Sequence, residues 1–109
     1  MAPIVKVVIE EENIKKFERL QYSSFEDQII YEKLLVAIDK LKANPFHGRN
    51  IRKKLIPNKY KKFKNLWRDK LSDDWRLLYS VVNTRDNIIA VVIVDWMPHK
   101  EYNKIFGYG

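Results

Sequence analysis

The chain contains no cysteine. It can build no disulfide scaffold, no thiolate nucleophile and no cysteine-ligated zinc site, and a reducing cytoplasm is the compartment its composition fits most simply. Histidine is scarce, with two copies, and no His/Asp/Glu group stands at metal-ligand spacing, so a structural zinc site is not expected. Long apolar runs are also missing. The longest, Ile88 to Val94, suits a buried strand and is far too short to cross a bilayer. The opening MAPIVKVVIEEE lacks a basic segment followed by an apolar core, so no signal peptide is expected. Three glycines and four prolines leave no low-complexity segment or linker, and no internal repeat is visible.

What is present describes one globular domain spanning residues 1–109, with 46% hydrophobic and 32% charged residues. The formal charge is +7, and it is unevenly spread. Residues 1–38 hold five Lys/Arg and seven Asp/Glu, residues 39–80 hold thirteen and four, and residues 81–109 hold three of each. The excess lies wholly in the middle third. A field of that kind attracts a polyanion, and nucleic acid is the commonest one. Tyr60, Phe63, Trp67 and Trp75 are interleaved with these charges and could stack on bases.

Periodicity gives the element order. Ile4 to Ile9 is a β-branched run and reads as a strand. Glu10-Glu11-Glu12-Asn13 opens a helix with acids at the positive end of its dipole, and Ile14, Phe17 and Leu20 form its apolar face. Ser23-Ser24 breaks it, and Ser24 caps a second helix. That helix carries Ile29/Ile30, Leu34, Ala37/Ile38 and Leu41 at three- and four-residue spacing and stops near Ala43, before Asn44-Pro45. A turn at 45–48 leads to an expected strand from Ile51 to Ile56, then a basic loop or single helical turn from Tyr60 to Lys64. Two strand-like arms follow, joined at Ser72-Asp73-Asp74. The last strand is expected from Ile88 to Asp95, central because it is apolar throughout, and stopped by Met97-Pro98. His99 to Phe106 is a short terminal helix or an extended tail, and Tyr108, between Gly107 and Gly109, reads as a loose end. The fold class is α+β, with a helical hairpin packed on one face of a mainly antiparallel sheet.

The hairpin from Asn65 to Tyr79 organises the rest. Each arm holds a Trp-Arg pair, Trp67-Arg68 and Trp75-Arg76. Side chains alternate across a strand. With a three-residue loop, Lys70 stands opposite Arg76, and Arg68, Lys70 and Arg76 converge on one face while Trp67, Trp75, Leu77 and Tyr79 form a packing face. A two-residue loop would break this convergence. Like charges placed opposite one another repel, so the three cations imply an anionic ligand unless they splay into solvent or are neutralised by Asp73, Asp74 or a partner protein. Asp69 falls on the packing face, where it is awkward unless it lies at an edge. Trp96 is left open between core and binding rim. His47, in the turn before the basic segment, reads as a turn residue.

The pattern xWRxKLxxxWRLLYxV resembles the RelE/ParE superfamily of toxins. A helix ending in NPFHG precedes it, and an apolar strand and HxxYxxxF follow. The likeness covers about residues 4–106. In the RelE-like branch the toxin of a toxin–antitoxin pair enters the ribosomal A site and cuts messenger RNA. A ribose 2′-OH attacks the adjacent phosphate to give a 2′,3′-cyclic phosphate, with no metal or cofactor required. The resemblance implies that Arg76 grips the scissile phosphate, that Arg68 and Lys70 support it, and that His99 and Tyr102 are the C-terminal histidine and tyrosine of YoeB- and HigB-like members. Arg52, Lys53, Lys54, Lys59, Lys61, Lys62 and Lys64 would position the RNA backbone. The implied partners are a cognate antitoxin, the ribosome and messenger RNA, with no membrane. YoeB-like members carry a glutamate base on the strand after the PxxG turn. Here residues 49–54 read Arg-Asn-Ile-Arg-Lys-Lys, so the base falls to His99 or to a lysine. Two other readings share the scaffold: a ParE-like inhibitor of DNA gyrase without enzymatic activity, and a non-catalytic RNA- or ribosome-binding module.

Overall fold

The computed structural model of the chain describes residues 2–107; Tyr108 lies outside the described residues. Five strands form one sheet in the order β1-β5-β4-β3-β2, with β1 spanning Ile4–Ile9, β2 Arg49–Ile51, β3 Leu66–Lys70, β4 Trp75–Asn83 and β5 Ile88–Pro98. β1 runs parallel to β5, and the other neighbours are antiparallel. β5 lies between β1 and β4, as its continuous apolar run predicts.

Helices α1 (Ile14–Arg19) and α2 (Phe25–Ala43) cover one sheet face. The Ser24 hydroxyl caps α2 by accepting from the Asp27 amide at 3.2 Å, and Glu26 and Asp27 sit in the first turn. Asn44 takes an extended conformation (φ −150°, ψ 100°), as the residue before a proline must, and the helix ends there. Ile30, Leu34 and Leu41 of α2 bury against Leu77, Tyr79, Val91, Ile93 and Trp96 of the sheet. Trp96 is 2% exposed and belongs to this core, which answers the question left open by its position in the sequence. α1 is shorter than its apolar face implies, because short 3₁₀ turns occupy 11–13 and 20–22 on either side. Asn13, the last residue of the first turn, donates from its side chain to the Val94 carbonyl at 2.7 Å and ties the entry of α1 to β5.

The other face carries a second core. Helix α3 (His99–Phe106) and the segment from Ile51 to Phe63 pack there, with Leu66, Leu78, Val94, Met97 and Tyr102 buried among them. The C-terminal segment is therefore a helix, ended by Gly107 in the left-handed conformation (φ 74°).

Two sequence expectations need correction. The strand expected at 51–56 is instead β2 at Arg49–Ile51, followed by a 3₁₀ turn at Lys53–Leu55. Ile51 and Ile56 are both buried in the same cluster. Five positions apart on a strand they would point to opposite faces, so the chain turns between them. The last strand does not stop at Asp95 but continues to Pro98. Register jumps from Leu78 opposite Asp95 to Tyr79 opposite Ile93, leaving Val94 as a bulge residue. That bulge realigns Trp96, Met97 and Pro98 with Leu77, Arg76 and Trp75. Pro98 is tolerated because the pairing with β1 ends at Ile93, which leaves β5 an edge strand on that side from there on.

Candidate functional site

The β3–β4 turn sets the geometry. Residues 72–74 form the loop, with the Leu71 amide donating to the Trp75 carbonyl at 3.0 Å. Lys70 stands opposite Arg76, Asp69 opposite Leu77 and Arg68 opposite Leu78. Arg68, Lys70 and Arg76 thus share one sheet face, the face that α3 partly covers. β2 adds a cation that the misplaced strand had hidden: Arg49 pairs with Arg68. Two like-charged pairs, Arg49–Arg68 and Lys70–Arg76, therefore stand directly across neighbouring strands. Such pairs destabilise a sheet unless an anion lies over them. Among the described residues no ion pair involves any of these four side chains, so Asp73 and Asp74 in the loop do not neutralise them.

Arg76 is 8% exposed. Its Nη1 donates to the carbonyls of Ser72 (3.2 Å), Asp73 (3.1 Å) and Trp75 (3.1 Å). Neutral carbonyls fix the guanidinium without cancelling its charge, and Nε and Nη2 make no hydrogen bond among the described residues. The result is a cation held in place with donors to spare, suited to a bidentate grip on phosphate. Arg68 lies with its guanidinium carbon 5.8 Å from the centroid of the Tyr102 ring. Tyr102 is 1% exposed and stacks on Phe106 with centroids 4.4 Å apart. Its ring therefore backs Arg68 from inside the second core and is not presented to solvent.

His99 begins α3 and is exposed. Its amide donates to the Asp74 carbonyl at 2.7 Å, which fastens the start of α3 to the hairpin loop that also holds Arg76. The Asn103 side-chain amide donates to His99 Nε2 at 3.2 Å. The fold thus brings His99 to the Arg76 end of the sheet.

His47 is the residue that sequence reasoning passed over. Its Nδ1 lies 2.7 Å from Asp69 Oδ2, and the Lys70 amide donates to Asp69 Oδ1 at 2.8 Å. This also accounts for Asp69 on the packing parity: β2 has ended by this point, and the carboxylate lies at the open sheet edge against the turn. The clue available from the sequence was Asp69 itself, a carboxylate on an apolar parity that needs a donor. His47, Gly48, Arg49, Arg68, Asp69 and Lys70 line an open depression of about 420 Å³.

The basic segment is less uniform than its composition. Lys62 is held by Glu12 (2.9 Å) and Glu10 (3.3 Å); the Glu12 hydrogen bond is the first cause of the upward shift of its pKa, with Glu10 adding to it. Lys59 lies over the Tyr60 ring at 5.6 Å. Lys53, Lys61 and Lys64 surround a shallow depression of about 270 Å³ with Ile56 and Phe63 at its base. Arg52 and Lys54 are exposed. Trp67 and Trp75 pack against the first core, and Tyr79 is fully buried within it. Among the described residues there is no group of three or more metal-ligating side chains, and no helix is long and apolar enough to cross a membrane.

With α1 and α2 on one face of the five-stranded sheet and α3 on the other, the chain has a mixed α+β fold of the kind seen in toxins of the RelE/YoeB type. A particular solved structure carries it: a YoeB/ParE toxin from Agrobacterium tumefaciens is similar to this chain with a TM-score of 0.60 and 17% identity, over 86% of this chain and 98% of that one. At that identity the likeness shows the fold; chemistry has to be argued from the residues. No protein-family model and no curated protein matches the sequence.

Proposed function

We propose that the chain is the toxin of a toxin–antitoxin pair and acts as a ribosome-dependent messenger-RNA endoribonuclease. The observation that carries this is the row of four cations on one face, Arg49, Arg68, Lys70 and Arg76, with Arg76 fixed by loop carbonyls and none of the four neutralised. In the reaction a ribose 2′-OH attacks the neighbouring phosphate, and negative charge builds on the phosphorane oxygens. Preorganised cations aimed at that charge supply the largest catalytic contribution. Arg76 grips the phosphate, Arg68 and Lys70 support it, and Tyr102 holds Arg68 in position from behind. His99, beside the same loop, donates a proton to the leaving 5′-oxygen, a role suited to an imidazole. Lys53, Lys61 and Lys64 position the RNA backbone. An antitoxin neutralises the chain before it reaches a ribosome.

Primer extension on a messenger RNA after expression of the chain tests this reading. Codon-phased cuts are expected. Gyrase-linked DNA damage without cuts would replace it with the ParE-like reading, and ribosome binding without cuts would replace it with a non-catalytic binding module.

A further inference from the structure

The ribonuclease reading leaves the general base unassigned, because residues 49–54 carry no carboxylate. We infer that His47, oriented by Asp69, is that base, and that the two form a proton-transfer pair at the open edge of β3. The inference rests on the nuclease reading and assigns a residue within it.

Three features of the pair point to chemistry rather than to turn packing alone. First, Asp69 is fixed on both oxygens, by the Lys70 amide at 2.8 Å and by His47 Nδ1 at 2.7 Å. A carboxylate bound to Nδ1 selects the tautomer that leaves Nε2 as an acceptor. Second, Nε2 makes no hydrogen bond among the described residues, and the imidazole is on the surface, with 46% of its side chain exposed. Third, the pair shares its depression with Arg49, Arg68 and Lys70, so an RNA phosphate drawn to those cations brings its ribose to the imidazole. Lys70 lines the depression and also stands opposite Arg76, which joins the pair to the phosphate grip.

The turn itself is built to hold His47 still. Asn44 accepts twice, from the Phe46 amide on its side chain (3.0 Å) and from the His47 amide on its carbonyl (3.2 Å). The Gly48 amide donates to the Tyr79 hydroxyl at 2.8 Å. The residues on either side of His47 are thus tied down while its ring faces the depression.

The step balances without a co-reactant. Nε2 of His47 takes the proton of the 2′-OH. The freed oxygen pair forms the O2′–P bond. The P–O5′ bond breaks with its electron pair on O5′, which takes a proton from His99 or water. The products are a 2′,3′-cyclic phosphate and a 5′-hydroxyl, and His47 returns its proton to solvent. Asp69 is a positioning residue in this scheme, since it acts only through the imidazole.

The test is single-turnover cleavage on programmed ribosomes by the full chain, with two messenger substrates: one ordinary, and one with sulfur in place of the scissile 5′-oxygen. A sulfur leaving group needs no proton, so it rescues loss of an acid but not loss of a base. His47→Gln is expected to slow cleavage by roughly 10²–10⁴-fold on both substrates. His99→Gln is expected to be slow on oxygen and to recover on sulfur. Asp69→Asn should lower the saturating single-turnover rate by on the order of tenfold or more with the half-saturating concentration unchanged, a split that simple loosening of the turn would not give. Wild-type rates for His47→Gln, or recovery of that variant on the sulfur substrate, would overturn the assignment while leaving the nuclease reading standing. No cleavage by the wild-type chain would overturn both.

Discussion

The hydroxyl of Tyr79, in the middle of β4, accepts a hydrogen bond from the amide of Gly48 at 2.8 Å. One fully buried side chain thereby fixes the turn that presents His47, through a bond to an amide thirty-one residues earlier in the chain. Glycine is required at 48 by crowding, not by its dihedral freedom. A Cβ there would collide with the Arg68 carbonyl oxygen and come within 2.7 Å of the Tyr79 hydroxyl. Tyr79→Phe strands the Gly48 amide and should cost about 1–3 kcal/mol. Gly48→Ala should cost at least as much, because the Arg68 carbonyl belongs to a paired strand and cannot yield. Denaturant titration of both variants checks this, and a loss below about 0.5 kcal/mol in each would show that the tie is idle.

The same hydroxyl predicts alkaline sensitivity. Burial, with a smaller contribution from the Asp69 charge, pushes the Tyr79 pKa up to about 12 against the Gly48 hydrogen bond, which favours ionisation. Tyr60 moves in the same direction, through burial first and then the neighbouring Asp95 carboxylate, which accepts from its hydroxyl at 3.0 Å. In both cases the folded state holds the proton more tightly than the unfolded chain does. Their contribution to stability is therefore fully present below about pH 10 and is lost as pH rises toward 12. Unfolding free energies measured from about pH 9 to about pH 12 should fall across that interval. The Tyr60→Phe and Tyr79→Phe variants should each show a shallower fall than the parent chain.

Local signals in the chain carry the element order and the hairpin register, because both depend on neighbours. Alternation along 66–70 and 75–79, with a three-residue turn, is enough to put Lys70 opposite Arg76. Features that depend on distant partners are hidden. Nothing near Ile51 announces that Ile51 and Ile56 must enter one cluster, so β2 is shifted and Arg49 drops out of the cationic row. His47 looks idle because its carboxylate partner is twenty-two residues away. The bulge at Val94 is likewise legible only once β4 lies beside it. Lys62 looks like its basic neighbours until the fold brings Glu10 and Glu12 to it.

Arg76 links stability to activity more tightly than its place in a cationic row implies. Truncation removes a nearly buried cation, strips the Asp73 carbonyl of its donor and leaves the Ser72 and Trp75 carbonyls only their backbone bonds within the hairpin turn. Arg76→Ala should therefore abolish growth arrest and also cost about 1–3 kcal/mol of stability. Arg76→Lys keeps the charge but not the fork that spans loop and ligand. Its cleavage rate should still fall by about 10²-fold or more. Growth arrest, cleavage rate and thermal midpoint measured on the same two variants separate the effects. Full toxicity in Arg76→Ala would remove this residue from the site.

The lysines of the 53–64 segment should not contribute equally to RNA binding. Lys53, Lys61 and Lys64 stand around one depression without an ion pair among the described residues, whereas Lys62 is already held by two carboxylates. Phosphate contacts release counterions, and each one made to single-stranded RNA adds about 0.7 to the slope of log K against log salt. Changing Lys53, Lys61 or Lys64 to Gln should each flatten that slope by about this amount if the residue touches the backbone. Lys62→Gln should change the slope less, since binding through Lys62 must first break its bonds to Glu10 and Glu12. Glu12→Gln weakens that hold and should make Lys62 count more. Titrations of a short RNA across a salt series give all the slopes, and equal slopes for the Lys62 and Lys64 variants would mean that Glu10 and Glu12 do not withhold the Lys62 charge from the RNA.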